Sequence, residues 1–265
     1  MNDLLKTIDW GSIDYSQVLS EDRGDDERNM DFLSRPRAGV QFVPVIEADE
    51  IVDGCASPPR PATIKTVLTA YQELVAIHGP ENVITICPFK EKPAGVRELN
   101  NAIRASLGFD SPVPRPGDFL MIMKNSGDAL NGERYRAVAV AADRKMITGR
   151  LIGTSHEIIL DFTPHDKGPS KNVDWGYAAT VHKFQGSEAA ATIVVIPSGT
   201  LKLMKAVGGE KEPSFCDRSF VYTACSRPKL SLVLIGDPKD ICGAIKMNRS
   251  DRVTALSRMF KKDAA

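Results

Sequence analysis

Apolar residues follow one pattern from about residue 40 to residue 107. Continuous apolar runs alternate there with stretches in which apolar residues recur at helical spacing. The runs are GVQFVPVIEA and VITIC, and the helical stretches cover residues 64–75 and 96–107. Strands that alternate with helices are typical of a parallel sheet, because parallel neighbours need a long crossover between them. The pattern predicts an α/β fold.

The pattern changes after residue 112. Short strand-like runs now follow one another, separated by turn-prone pieces such as Asn131-Gly132. These runs are FLMIM, RAVAVAA, KMITGRLI and HEIILDF. Their spacing predicts a small antiparallel β-barrel over residues 113–168, inserted into the α/β layer.

The α/β pattern resumes at residue 169 and continues to about residue 245. WGYAATVHKFQG and RSFVYTACS have helical spacing, and ATIVVIP and LSLVLIGD have the composition of buried strands. We therefore expect residues 40–112 and 169–245 to build one parallel-sheet domain around the inserted module.

Charge separates the two ends of the chain, although 34 basic residues balance 34 acidic ones overall. Residues 1–35 carry nine acids and four bases, without a sustained hydrophobic period. We expect residues 1–39 to be poorly ordered or the remnant of a preceding domain. Residues 200–265 carry seven acids and thirteen bases, which predicts a basic tail over residues 246–265.

Composition narrows the class of protein. The chain has 265 residues, of which 42% are hydrophobic and 26% charged, as in ordinary globular proteins. We expect a cytoplasmic location and no membrane partner, since no apolar run approaches the ~20 residues of a membrane span and no signal peptide is evident. Five scattered cysteines without a C-x-x-C pair indicate reduced, mostly buried thiols and no metal site.

Residues 180–188, TVHKFQGSE, are unusually rich in polar groups for a segment that precedes a buried strand. One interpretation is a helix whose polar face is solvated and which ends at Gly186. The other is a loop in which Thr180 and His182 bind phosphate and Gly186 lets the backbone approach a ligand.

Two further segments carry candidate chemistry. Arg227, in RSFVYTACSRPK, is either an arginine that binds the carbonyls of a helix end or a charged fork aimed at a phosphate across a cleft. Residues 87–95, CPFKEKPAG, follow a buried strand at its carboxyl end, where ligands gather in open α/β sheets. Lys90 and Phe89 there suit a nucleic-acid backbone and a stacked base, and a solvated turn is the alternative.

Four segments resemble, in order and spacing, the second motor domain of superfamily 1 DNA helicases of the RecD-like and Dda-like type. YAATVHKFQGSEAAATIVVIP resembles their fifth motif, RSFVYTACSRPKLSLVLIGD the sixth and CPFKEKPAGVRELNNAI the fourth. GDFLMIMKNSGDALNGERYRAV is similar to the start of the small Src-homology-like barrel that interrupts this domain. The resemblance implies a RecA-like, P-loop NTPase-type α/β domain with an inserted antiparallel β-barrel, as in the UvrD-type C-terminal domain.

The resemblance also implies roles for single residues. Arg227 falls on the arginine that reaches the γ-phosphate of ATP, and Gly186 and Glu188 fall near the nucleotide. The positions implied to contact single-stranded DNA are Pro88, Phe89, Lys90, Thr180, His182 and Lys183.

The sequence contains no G-x-x-x-x-G-K-[ST], the Walker A loop that cradles phosphates. We therefore expect the C-terminal half of an ATP-dependent, 5'-to-3' DNA translocase. ATP and magnesium would be bound only when a domain or chain with the Walker A and B motifs completes the motor. That half would lie on another polypeptide, or this sequence would be a truncated piece.

Two alternatives stay open. One is a non-enzymatic module that binds single-stranded nucleic acid or docks to a partner. The other is the C-terminal half of a viral RNA helicase, which shares the His-x-x-Gln-Gly core.

Overall fold

A computed structural model describes residues 39–47, 60–91, 93–109, 111–141, 145–162, 172–202 and 216–247. The predictions for residues 1–38 and for the tail beyond residue 247 lie outside these ranges. Among the described residues, no helix is both long and apolar enough to cross a membrane.

A five-stranded parallel sheet confirms the predicted α/β fold. The strand order is β1-β10-β9-β2-β8, and every neighbouring pair is parallel. The strands are β1 (Gly39–Pro44), β2 (Val83–Cys87), β8 (Ala178–Thr180), β9 (Ala189–Ile196) and β10 (Pro228–Gly236). All five residues of β2 are buried, as a strand covered on both faces requires.

Helices cover both faces of this sheet. Helices α1 (Pro61–His78) and α2 (Val96–Ser106) pack with alternate strand residues such as Val83 and Ile193. Helices α3 (Arg218–Cys225) and α4 (Pro238–Lys246) pack on the other face with Ile84 and Val194. Of the four helices predicted from the sequence, three are present, as α1, α2 and α3.

Helix α1 begins with a cap that comes from a distant residue. Arg60 at its N-cap position makes no side-chain capping bond. Instead Oε1 of Glu47 accepts hydrogen bonds from the amides of Ala62 (2.5 Å) and Thr63 (3.0 Å). These bonds satisfy donors that the first turn leaves free and attach the helix to the segment after β1.

The inserted module is an antiparallel sheet with the order β6-β5-β4-β3-β7. Its strands are β3 (Phe119–Ile122), β4 (Arg134–Val140), β5 (Met146–Leu151), β6 (Glu157–Asp161) and β7 (Val173–Trp175). In this order β6 and β7 lie at opposite edges, so closure into a barrel stays a prediction. Strand β7 pairs with β3 although it lies beyond residue 168, where we expected the module to end.

The helix predicted over WGYAATVHKFQG is wrong. The structure has Trp175 at the end of β7, strand β8 and then hydrogen-bonded turns through Gly186. Asn100 on α2 explains the difference, because its side-chain oxygen accepts from the amides of Tyr177 (3.0 Å) and Ala178 (2.7 Å). These bonds hold the backbone extended beside β2.

The cysteines in the described residues are mostly buried, as the sequence predicts. Cys87, Cys216 and Cys225 are buried and Cys242 is half-buried. Burial raises the pKa of Cys87 and of Cys225 to about 12, so both thiols are protonated at neutral pH.

Candidate functional site

The carboxyl ends of β2 and β8 bring two of the predicted segments together. Cys87 and Thr180 are register partners, so the loops that follow them leave the sheet side by side. Carboxyl ends of parallel strands are where open α/β sheets bind ligands. We name the residues at this end, Pro88–Lys90 and Thr180–Lys183, the carboxyl-edge group.

The backbone of residues 88–90 is fixed by the start of α2. The carbonyl of Phe89 accepts from the amide of Val96 (2.9 Å), and that of Lys90 accepts from Arg97 (3.1 Å). Lys90 is exposed, whereas the ring of Phe89 is half-buried and packs against the core beside Ile84. The lysine therefore faces solvent, and the aromatic ring serves the core.

Turns in the loop after β8 direct its side chains alternately inward and outward. The carbonyl of Thr180 accepts from the amides of Lys183 (3.0 Å) and Phe184 (3.2 Å). Val181 and Phe184 are buried, so they anchor the loop to the core, and His182 between them is exposed. The segment is therefore a loop and not the alternative helix, and phosphate binding by Thr180 and His182 stays a prediction.

Lys183 differs from the other members of the carboxyl-edge group. Its ammonium donates to the carbonyl of Met123 at 2.9 Å and to Oδ1 of Asn131 at 2.7 Å. Burial, with a smaller contribution from the charge of Lys90, lowers the pKa of Lys183. The ammonium is thus bound to the turn between β3 and β4.

Glu188 and Arg227 lie at the opposite edge of the parallel sheet, where β9 and β10 begin with Ala189 and Pro228 as register partners. The amide of Ala189 donates to the carbonyl of Arg227 at 3.3 Å. Gly186 lies in the connection between the two edges, in the turn in which the amide of Ser187 donates to the carbonyl of Phe184. We name Gly186, Glu188 and Arg227 the amino-edge group, and the structure does not bring Glu188 or Arg227 to the carboxyl-edge group.

The Arg227 side chain is half-buried and folded back onto its own chain. Nε donates to the carbonyl of Thr223 (3.0 Å), Nη1 to that of Ser187 (3.4 Å) and Nη2 to Oγ of Ser226 (3.1 Å). Thr223 lies in the last turn of α3, so these bonds match the helix-end interpretation of Arg227. In this conformation Arg227 also ties the end of α3 to the segment before β9.

The two remaining members of the amino-edge group are exposed. Glu188 forms an ion pair with Lys229 at 2.9 Å, with both side chains about half exposed. Gly186 has φ of +88°, and a Cβ there would meet open space. The glycine is therefore required by backbone conformation rather than by a close neighbour.

A buried polar cluster beside the segment that leads into β8 was not predicted from the sequence. Arg104 on α2 makes two bonds of 2.9 Å to the carboxylate of Asp118, which also accepts from the hydroxyl of Tyr177 at 2.8 Å. The guanidinium carbon of Arg104 lies 3.4 Å from the ring centroid of Trp175. The cluster joins α2 to both sheets.

A second buried arginine joins the antiparallel sheet to the start of β2. Arg134 on β4 donates to the carbonyls of Gly176 (2.9 Å), Val83 (3.1 Å) and Glu81 (3.3 Å). Burial lowers its pKa to about 10, so it remains charged at neutral pH. Together with Asn100, these bonds fix the segment that leads into Thr180.

Within the described ranges, no group of three or more His, Cys, Asp or Glu side chains is placed to hold a metal ion.

Comparison with known proteins gives one significant match among curated sequences and no match to a family model. The RecD subunit of the RecBCD enzyme from Mycolicibacterium smegmatis is 24% identical over 183 residues, which cover 66% of this chain and 29% of the subunit. The chain thus spans less than a third of that relative's length.

Solved structures of helicases are also similar to the chain. Pif1 helicase from Bacteroides in complex with ADP-AlF3 and ssDNA has 16% identity and a TM-score of 0.37 over 76% of this chain and 53% of its own. The C-terminal domain of a possible DNA helicase from Lactobacillus plantarum has 13% identity and a TM-score of 0.33, with 87% and 89% covered. Because both TM-scores lie below 0.5, the relation rests on the sequence match. By that match, and by the motif-like segments along its parallel sheet, the chain is similar to RecD-like superfamily 1 helicases.

Proposed function

We propose that this chain provides the C-terminal half of an ATP-dependent DNA helicase or translocase that moves 5'-to-3'. The sequence match to RecD is the observation that carries the proposal. The two groups of motif residues then take separate tasks at opposite edges of one sheet. The carboxyl-edge group contacts the single strand, and the amino-edge group faces the nucleotide.

The exposed members of the carboxyl-edge group suit a phosphate backbone. Lys90 and His182 are exposed, and Thr180 between their loops is half-buried with a hydroxyl that can donate. Cations and hydroxyl donors along a groove are how proteins bind single strands without reading sequence. Because the loops are adjacent, all three side chains can follow one strand.

Arg227 serves the nucleotide only after a rearrangement. Its guanidinium must leave the carbonyls of Thr223 and Ser187 to reach a phosphate on another domain. Each such hydrogen bond contributes a net ~1 kcal/mol to stability. An arginine that stabilises phosphoryl transfer accelerates it by about 10³–10⁵-fold, or ~4–7 kcal/mol. The gain in the transition state therefore exceeds the cost of release.

ATP and magnesium belong, in this proposal, to a domain that carries the Walker A and B motifs. The 265 residues contain no G-x-x-x-x-G-K-[ST] segment of their own. The other domain therefore binds the nucleotide, and this chain places charged side chains next to it.

A non-enzymatic single-strand-binding module is the second candidate. The present geometry of the amino-edge group favours it, since Arg227 is bound to its own chain and Glu188 is paired with Lys229. In that case the carboxyl-edge group works alone, and loss of Arg227 has no effect on any activity of a completed motor.

Both candidate functions require the chain to bind single-stranded DNA, so a binding measurement with the 265-residue chain tests this shared requirement. His182→Ala should weaken binding to single-stranded DNA and reduce the slope of log K against log [salt], because a cationic contact releases counterions. His156→Ala is the matched control, since His156 is also exposed but lies in the turn between β5 and β6. The measurement is fluorescence anisotropy of a labelled oligonucleotide at several salt concentrations. Equal affinities and slopes for the two variants would count against a phosphate contact at His182.

A further inference from the structure

The ammonium of Lys183 is the point at which the loop after β8 meets the antiparallel module. It lies within 2.9 Å of two acceptors on the turn that joins β3 to β4, a segment we call the hairpin turn (residues 123–133). One acceptor is a main-chain carbonyl, at Met123, and the other is the amide oxygen of Asn131. An exposed lysine that serves a phosphate would have its ammonium in solvent, as Lys90 has.

The backbone of the loop also touches the hairpin turn. A Cβ built on Gly132 would lie 2.5 Å from the carbonyl oxygen of Lys183, and Gly132 itself has φ of +92°. Both the conformation and the close approach therefore require glycine at this position. The loop after β8 therefore approaches the hairpin turn closely at the main chain and is also bound to it through the ammonium of Lys183.

Hydrogen bonds inside the hairpin turn hold the two acceptors in place. The amide of Asn131 donates to Oδ1 of Asn125 at 2.7 Å, and Ser126 and Ala129 exchange two main-chain bonds of 3.0 Å. The amide of Gly132 donates to the carbonyl of Ile122 at 2.9 Å. These bonds hold the hairpin turn in one conformation, in which it accepts the hydrogen bonds of Lys183.

We propose that Lys183 is a positioning residue, which holds the loop after β8 on the hairpin turn so that Thr180 and His182 face the single strand. The ammonium does not contact the strand itself. This inference rests on the proposed function for its readout, and of the two lysines in the carboxyl-edge group it assigns the phosphate contact to Lys90. The antiparallel module then controls strand binding through a residue that touches no nucleic acid.

The lowered pKa of Lys183 agrees with an ammonium that has lost part of its water to two protein acceptors. Lys90 contributes to the same lowering through its charge, so the two cations lie on one face. Lys90 and Lys183 carry the same charge in different surroundings, so the two lysines can be compared by making the same substitution at each.

The test is a double-mutant cycle read out as strand affinity and salt dependence. Lys183→Met and Asn131→Ala should each weaken single-strand binding by about 2- to 12-fold, the factor that corresponds to the net contribution of one hydrogen bond. The double variant should bind single-stranded DNA no more weakly than the weaker-binding of the two single variants. All three variants should keep the wild-type slope of log K against log [salt]. Lys90→Met is the control and should reduce the slope by about 0.7.

The opposite pattern would overturn the assignment. If Lys183 contacts a phosphate, Lys183→Met reduces the salt slope as Lys90→Met does, and Asn131→Ala binds like the wild type.

Hydrogen exchange without nucleic acid separates this inference from the proposed function. Asn131→Ala should increase exchange at the amides of Lys183 and Phe184 by several-fold, because both close turns in the loop. Faster exchange in a chain that binds no single strand would support the attachment and refute the strand-binding function. Unchanged exchange would refute the attachment whatever the chain binds.

Discussion

At the scale of single residues, the ion pair between Arg104 and Asp118 has the largest predicted effect on stability. Both side chains are at most 5% exposed. Arg104→Met leaves the carboxylate of Asp118 buried without a compensating charge, although the hydroxyl of Tyr177 still donates to it. Removal of one partner of a buried pair destabilises a fold by about 3–5 kcal/mol. Urea denaturation of the variant should show a loss of this size in the free energy of unfolding.

An exposed pair on the antiparallel sheet provides the control for this prediction. Arg150 contacts Glu157 at 2.8 Å, and both side chains are at least 40% exposed. Arg150→Met should change stability by less than ~1 kcal/mol. Substitution of both buried partners, as Arg104→Met with Asp118→Leu, should recover most of the loss. Equal effects for Arg104→Met and Arg150→Met would show that burial of the pair contributes little.

The sequence did contain a signal for the buried polar residues of α2. Val96, Leu99 and Ile103 form its apolar stripe. Asn100 lies four residues after Val96, and Arg104 lies four residues after Asn100, so both polar residues are on the same side of the helix as the stripe. Polar residues on an apolar stripe indicate buried partners. Their partners, however, come from β3 and from the segment before β8, so only the folded chain identifies them.

At the scale of elements, the sequence predicted every described strand except β7 and β8. The clearest signals were β2, residues 191–196 of β9 and residues 232–235 of β10, which are buried runs rich in β-branched and aliphatic residues, as a strand buried on both faces requires. The segment after Trp175 was predicted as a helix, because Ala178, Val181 and Phe184 recur at helical spacing. Contacts with β2 and Asn100 overrode this preference, since only tertiary partners fix so short a strand.

Strand β7 gives a pH-dependent prediction at the same scale. Burial raises the pKa of Asp174 above its ordinary value, against the opposing effects of an amide bond from Trp175 and of the charges of Lys90 and Arg97. The folded state therefore binds the proton more tightly than the unfolded state. Stability contributed by this carboxyl is present at low pH and is lost as the pH rises from its ordinary pKa through the raised one.

Asp174→Asn isolates this contribution, because the amide oxygen can still accept from the main chain. The variant should gain stability relative to the wild type between pH 4 and pH 7, and the gain should level off above the raised pKa. Denaturant midpoints measured across this range provide the check. A constant difference between the two proteins would show that Asp174 titrates with an unchanged pKa.

At the scale of the whole molecule, the two sheets share one hydrophobic core. Tyr71 of α1 packs in the same cluster as Phe119 and Trp175 of the antiparallel sheet, and its ring lies 6.4 Å from that of Tyr177. The bonds of Arg134 cross the same boundary. The inserted module is therefore part of the frame that places the carboxyl-edge group.

The amino-edge group is exposed at Gly186 and Glu188 and half-buried at Arg227, which fits a surface completed by another domain. From this follows the prediction that the 265-residue chain alone hydrolyses ATP negligibly, with or without single-stranded DNA. When a domain with the Walker A and B motifs is supplied, strand-stimulated turnover should appear. Arg227→Ala should then reduce turnover by on the order of 10³ or more while strand affinity stays the same.

Lys229→Ala is the matched control for Arg227, since it removes a neighbouring cation of the same edge that pairs with Glu188. Its turnover should stay within a few-fold of the wild type, because an exposed ion pair contributes little. Steady-state release of phosphate measures both variants. Unchanged turnover in Arg227→Ala would remove Arg227 from the chemistry and favour the non-enzymatic module. Strand-stimulated turnover by the chain alone would instead show that it binds ATP without a second domain, and would contradict the half-motor.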